Sequence, residues 1–253
     1  MSEASREESG RLPRGAAVSI AYRRRAGKAP TVVFLGGFMS DMSGTKAAAL
    51  DAWAAARGQG FLRLDYRGHG ESDGEFEDGT IGAWKDDALA AIDALTTGPL
   101  VLIGSSMGGW IALLVALARP ARVIALVGIA AAPDFTEDLI WQRMEEPVRM
   151  MLETEGVVYE TSDGGDRPLA ITHALIEDGR KHLLLRGVIP VAVPVRLLHG
   201  QQDADVPWQR SLLLAEKLAS PDIRVVLIKD GDHRLSRDED LALLTATVEE
   251  LVG

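Results

Sequence analysis

Short apolar runs rich in Val, Ile, Leu and Phe alternate along the chain with longer stretches whose apolar residues recur at helical spacing. Thr31–Phe38, Phe61–Tyr66, Leu100–Gly104, Val123–Ala130, Val195–His199 and Arg224–Lys229 read as strands, each closed by a polar or glycine-bearing turn. These runs are nearly continuous rather than alternating, which is what burial on both faces of a parallel sheet demands. Helices are expected between them over Gly44–Arg57, Thr80–Leu95 with Thr80 as N-cap, Gly108–Ala118, Trp208–Leu218 and Arg237–Leu251. Ala17–Arg25 alternates weakly and is expected to pair antiparallel at the edge of the sheet. The rhythm predicts an α/β fold, a mostly parallel central sheet with helices on both faces.

From Asp134 to about Ile189 that rhythm stops, and helical patterns flank Gly156–Ser162 and the pair Gly164–Gly165. An inserted helical lid over about 134–189 is expected, within one domain spanning 15–253. Ile140, Met144, Val148 and Met151 recur at spacings of four, four and three, giving one apolar face. Such a stripe packs on a core as its ordinary use. The sharper expectation is that Met144, Met150 and Met151, with Met39, form a pliable wall for an acyl chain, because thioethers adapt to irregular apolar ligands.

Composition narrows the partners. The chain has 253 residues, 47% of them hydrophobic, with 27 basic against 37 acidic side chains and a net charge of −10. That balance disfavours nucleic acid and anionic membrane surfaces. With no cysteine, disulfides and thiolate chemistry are excluded. Residues 1–14 mix glutamates, Glu3 among them, with arginines and hold no apolar run, so they read as a flexible, solvated tail. No segment reaches membrane-spanning length, and a cytoplasmic protein is expected. Nothing in the sequence sets the oligomeric state.

Gly104-Ser105-Ser106-Met107-Gly108 follows one expected strand and opens a helix, the context that gives a G-x-S-x-G pattern its meaning. The nucleophile sits on a strained turn, and only glycine fits two residues to either side. A serine hydroxyl needs a base, and in this arrangement the acid precedes the histidine. Asp203, past the strand ending at His199, and His233, past the strand ending at Lys229, lie in that order at the carboxyl edge where ligands of open α/β sheets bind. Asp205 and Asp232 are rivals for the acid; Asp205 reads as a cap of the next helix, and Asp232 adjoins His233. His69, His173, His182 and His199 read as hydrogen-bonded loop or surface residues. Backbone amides of Met107 and Phe38 are expected to form the oxyanion hole. Gly36-Gly37 lacks dinucleotide spacing and the histidines and carboxylates lack metal-ligand spacing, so no cofactor and no metal are expected.

Three segments carry a resemblance: Gly37–Ala47 (GFMSDMSGTKA), Asp65–Gly74 (DYRGHGESDG) and Gly104–Trp110 (GSSMGGW). The chain resembles the α/β-hydrolase superfamily from Ala17 to Leu251. Within it, the three segments are similar to the mitochondrial type acting as palmitoyl-protein thioesterase and acyl-glucuronide esterase, and to its bacterial relatives. That resemblance implies hydrolysis of S-palmitoyl thioesters and activated carboxylic esters, on a small-molecule or acylated-protein substrate, with Ser106, Asp203 and His233 at the triad positions. The N-terminus shows no organelle-targeting character, so a bacterial cytoplasmic enzyme is expected. Carbon–carbon hydrolases, acyltransferases and cofactor-free haloperoxidases keep the same serine, and a non-catalytic small-molecule binder is a further alternative.

Overall fold

Strand β5 (Leu100–Ser105) is buried at every position and lies between β3 (Lys28–Leu35) and β6 (Val123–Ile129), parallel to both. Its continuous apolar sequence is explained by helices on either side. In the computed structural model, which describes residues 6–15, 18–160 and 168–253, eight strands form one sheet. The others are β1 (Glu7–Pro13), β2 (Ser19–Arg25), β4 (Gln59–Leu64), β9 (Val195–Gly200) and β10 (Ile223–Ile228), and the spatial order is β1-β2-β4-β3-β5-β6-β9-β10. β1 and β2 are antiparallel to their neighbours; from β4 onward all pairings are parallel.

Two apolar clusters cover the sheet's faces. One gathers Leu50 and Trp53 of α1 (Thr45–Arg57) with Leu244 and Val248 of α7 (Asp238–Val252). The other gathers Trp84 of α2 (Ile81–Leu95), Trp110 of α3 (Met107–Ala118) and Leu214 of α6 (Gln209–Lys217). The helix starts agree with the expected ones to within a residue, and the Thr80 hydroxyl caps α2 by accepting from the Ala83 amide at 3.2 Å.

The solvated tail expected over residues 1–14 is corrected from Glu7 onward. Its charges are not solvation but a cross-strand ladder: Glu8 pairs with Arg24 at 2.7 Å and Glu7 with Arg63, while Arg14 reaches Asp87 of α2 at 3.1 Å. β2 therefore lies one strand in from the edge. Residues 1–5, 16–17 and 161–167, which hold Ala17, Ser162 and the Gly164–Gly165 pair, lie outside the described residues.

Between β6 and β9 lie a π turn (Thr136–Ile140), a 3₁₀ turn (Trp141–Arg143), α4 (Glu146–Glu155), the hairpin of β7 (Val157–Glu160) and β8 (Leu169–Thr172), and α5 (His173–Arg180). The buried Asp134 carboxylate ties this insertion to its exit, accepting the Leu184 and Leu185 amides at 2.8 and 2.9 Å. The Ile140–Met151 stripe is not one helical face, because α4 begins only at Glu146. Met144 is buried with Leu152, Val158, Ile171 and Ile176 in the insertion's own small core.

Candidate active site

β5 delivers Ser106 into the turn before α3 with φ at 54° and ψ at −118°, a left-handed strain outside the regular wells. The flanking glycines are forced by close approach. A Cβ on Gly104 would lie 2.3 Å from the Gly108 carbonyl oxygen, and one on Gly108 only 2.0 Å from that of Leu35. Gly108→Ala is therefore expected to cost at least the 1–3 kcal/mol typical of overpacking and to abolish labelling of Ser106 by a fluorophosphonate. A denaturation midpoint and a labelling gel check both; a stable, labelled variant would show that the turn has slack.

The ends of β9 and β10 bring the other two groups in. His233 Nε2 lies 3.1 Å from Ser106 Oγ, and His233 Nδ1 lies 2.7 Å from Asp203 Oδ2. The Asp203 carboxylate is an acceptor, so Nδ1 carries the hydrogen and Nε2 presents its lone pair to the hydroxyl. Asp203 is sealed from solvent. Burial opposes its ionisation, but hydrogen bonds from His199 and His233 outweigh that and hold its carboxyl well below the ordinary carboxylate range.

The rivals fall elsewhere. Asp205 donates its amide to Asp203 Oδ1 at 2.9 Å and does not cap α6, which starts from Trp208 without a side-chain cap. Asp232 closes a local turn by accepting the Leu235 amide at 2.9 Å. Ligand atoms of Asp203, Asp205 and His233 come within 4.8 Å of one another. Both Asp203 oxygens already carry hydrogen bonds, Oδ1 from the Asp205 and Val206 amides and Oδ2 from two imidazoles.

Met107 opens α3, so its N–H is one of the orphan donors of a first helical turn beside Ser106. On the facing loop the Met39 amide donates to His69 Nε2 at 3.3 Å and the Ser40 amide to the Gly37 carbonyl at 3.2 Å. Among the described residues the Phe38 amide has no hydrogen-bond partner. The Phe38 ring anchors the loop edge-on against Phe76, Trp84 and Phe135 at centroid distances of 4.9, 5.7 and 5.6 Å.

His69 is a structural part of this site. Its Nδ1 donates to the Arg67 carbonyl at 3.2 Å, which leaves Nε2 as the acceptor for Met39. Burial pushes its pKa down to about 4, against the pull of the Arg67 carbonyl. Between about 6.5 and 4 the unfolded chain takes up a proton that the folded one refuses, so stability falls on acidification through that window. The loss should be roughly 3 kcal/mol at one pKa unit per 1.36 kcal/mol. Unfolding free energies of wild type and His69→Gln across those pH values test this: the variant should show a shallower slope, and equal slopes would assign the acid sensitivity elsewhere.

A cleft of about 360 Å³ opens over Ser106, lined by Phe38, Met39, Thr45, Lys46, His233 and Arg234 among others. Of the four methionines expected at an acyl wall, only Met39 faces it. Met144 is consumed by the insertion's core, and Met150 and Met151 stand 60% and 52% exposed on α4. Burial lowers the Lys46 ammonium to about 8, against the attraction of Asp232, and its Nζ donates to the Arg234 carbonyl, bracing the loop that carries His233. Neither Lys46 nor His199 was legible as a site residue in the sequence. His199 carried a signal in its spacing of four from Asp203.

Residues 27–174 match the family described as serine aminopeptidase, S33. The mouse protein named palmitoyl-protein thioesterase ABHD10, mitochondrial, is 41% identical over 244 residues, 95% of this chain and 81% of that relative. The chain belongs to the serine aminopeptidase S33 family. Among solved structures, a putative hydrolase from Agrobacterium vitis superposes with a TM-score of 0.93 at 41% identity, covering 98% of this chain and 99% of its own. Mouse α/β-hydrolase domain-containing protein 10 gives 0.89 at 39% identity, covering 97% and 98%. The α/β-hydrolase fold and hydrolase class expected from the sequence hold for this S33 member. The family match ends at residue 174, before Asp203 and His233, so those two residues rest on geometry alone.

The cytoplasmic placement is corrected: the ABHD10 relatives are named as mitochondrial. Its physical basis was weak, because organelle-directing segments are amphipathic and arginine-rich, and the lack of an apolar run does not argue against them. Among the described residues no helix is long and apolar enough to cross a membrane.

Proposed function

We propose that this α/β-hydrolase cleaves carboxylic ester or acyl-thioester bonds through an acyl-enzyme on Ser106. The observation that carries the reading is the line of Ser106 Oγ, His233 and Asp203 Oδ2, joined at 3.1 and 2.7 Å where three strands end. Ser106 Oγ attacks the carbonyl carbon as its proton passes to His233 Nε2. The oxyanion takes hydrogen bonds from the Met107 and Phe38 amides, the donors nearest the nucleophile's helix and the facing loop. His233 then returns the proton to the departing alcohol or thiol, and water repeats the cycle on the acyl-enzyme to release a carboxylic acid.

Likeness to the palmitoyl-protein thioesterases favours S-palmitoyl thioesters as one substrate class, and the cleft over Ser106, with Met39 and Phe38 on its wall, offers an apolar side for an acyl chain. The test is hydrolysis of a p-nitrophenyl ester series from acetyl to palmitoyl, together with a palmitoyl thioester. Turnover with a chain-length optimum is expected. A folded protein that hydrolyses none of them and resists fluorophosphonate labelling would overturn the reading.

A further inference from the structure

The acid of the triad is held by a second histidine. His199, near the end of β9, is wholly buried. Its Nε2 lies 3.1 Å from Asp203 Oδ2 and 3.0 Å from the Val206 carbonyl oxygen, and its Nδ1 lies 2.7 Å from Ser211 Oγ on α6. Both neighbours of Nε2 are pure acceptors, so that nitrogen carries a hydrogen whatever the ring's charge. Oδ2 of Asp203 therefore receives two imidazole N–H groups, from His199 and from His233 at 2.7 Å, while Oδ1 receives the Asp205 and Val206 amides at 2.9 and 2.8 Å.

We infer that His199 is a positioning residue for this hydrolase: it clamps the Asp203 carboxylate in the rotamer that faces His233 and shares the oxygen on which His233 pulls. The inference rests on the Ser106–His233–Asp203 reading. Four donors on two oxygens leave the carboxylate no rotation that keeps them all, so its plane is set by contacts outside the triad. Asp203 is fully shielded, so water does not readily replace His199 if its ring is removed. Ser211 completes the device by holding Nδ1, which passes the position of α6 to the orientation of the acid.

The test uses the full chain with His199→Phe, His199→Gln, Ser211→Ala and Ser106→Ala. Each is assayed on p-nitrophenyl acetate, with one-dimensional proton NMR of the far-downfield His233 Nδ1–H resonance. His199→Phe keeps a ring of similar size without the donor. It should lower kcat by roughly 10- to 100-fold, the scale of a slightly misplaced catalytic group, with KM little changed and the resonance displaced. His199→Gln places an amide nitrogen where Nε2 stood and should recover most of the loss. Ser211→Ala should move both readouts the same way by less, and these two variants carry the test if His199→Phe does not fold. A folded His199→Phe with wild-type kcat and an unmoved resonance would overturn the inference. So would a His199→Gln no better than phenylalanine, or, without the phenylalanine variant, a folded Ser211→Ala protein that leaves both kcat and the resonance unmoved. The Ser106→Ala control separates the two readings. If it still turns over, the triad itself is wrong; if it is inactive beside an unimpaired His199→Phe, only the positioning role fails.

Discussion

Ser106→Ala is expected to lower kcat for ester hydrolysis by roughly 10⁴-fold or more, and to remove fluorophosphonate labelling, with little change in folding stability. The size follows from geometry. Ser106 Oγ is the hydroxyl poised 3.1 Å from His233 Nε2, and the strained backbone at φ 54° exists to present it. Under the proposed mechanism, removing the oxygen leaves the Met107 and Phe38 amides and the cleft in place, so residual activity should be only what positioning and those amides supply. Ser105, the neighbouring hydroxyl, lies on β5 and has no base beside it among the described residues. A Ser106→Ala protein within tenfold of wild type would therefore remove the nucleophile assignment, and with it the acyl-enzyme mechanism.

Asp203→Asn should cost about 10⁴-fold in kcat, on the scale seen when an orienting carboxylate is made an amide. Every partner of Asp203, the two imidazole N–H groups and the Asp205 and Val206 amides, is a donor. An asparagine NH₂ must then face at least one donor pair. Turned toward His233, it drives that ring to the tautomer with hydrogen on Nε2, which no longer accepts the Ser106 proton. Turned toward the amides, it sets two donors against the Asp205 and Val206 N–H groups; the part-buried Val206 amide is then left unpaired at about 1–3 kcal/mol, while the exposed Asp205 amide can turn to water. Steady-state rates together with a thermal melt distinguish the outcomes: a stable, fully active variant would move the acid to Asp205 or Asp232, whereas a destabilised but active one would make Asp203 structural alone.

Why the site was largely legible follows from which of its parts are local. The G-x-S-x-G turn is a short-range steric device: Gly104 and Gly108 are required by atoms a few residues away and by the adjoining strand. β5 and β9, which feed Ser106 and Asp203 into the site, are buried at every position, so their apolar runs announce themselves without any knowledge of neighbours. The order of Ser106, Asp203 and His233 along the chain needed only the rule that functional loops leave the carboxyl edge. The Phe38 loop was readable as a neighbour of Ser106 because it follows a strand paired with β5, whereas what anchors it is the aromatic cage of Phe76, Trp84 and Phe135, distant in sequence.

By itself, then, the sequence determined the alternation of buried strands and amphipathic helices, the strained turn that carries Ser106 and the chain order of Ser106, Asp203 and His233, because each is written in local sterics or in a burial period. Tertiary structure alone decided the rest. Glu7–Pro13 became the outermost strand because its glutamates meet arginines on β2 and β4, pairings invisible to a window of neighbouring residues. Met144 went to the insertion's own core and Met150 and Met151 to solvent, because a helical period does not say where one helix ends and the next turn begins. His199 became the second donor to Asp203 because β9, α6 and the loop between them close on one carboxylate, and side-chain hydrogen bonds are set by the meeting of elements rather than by any one of them.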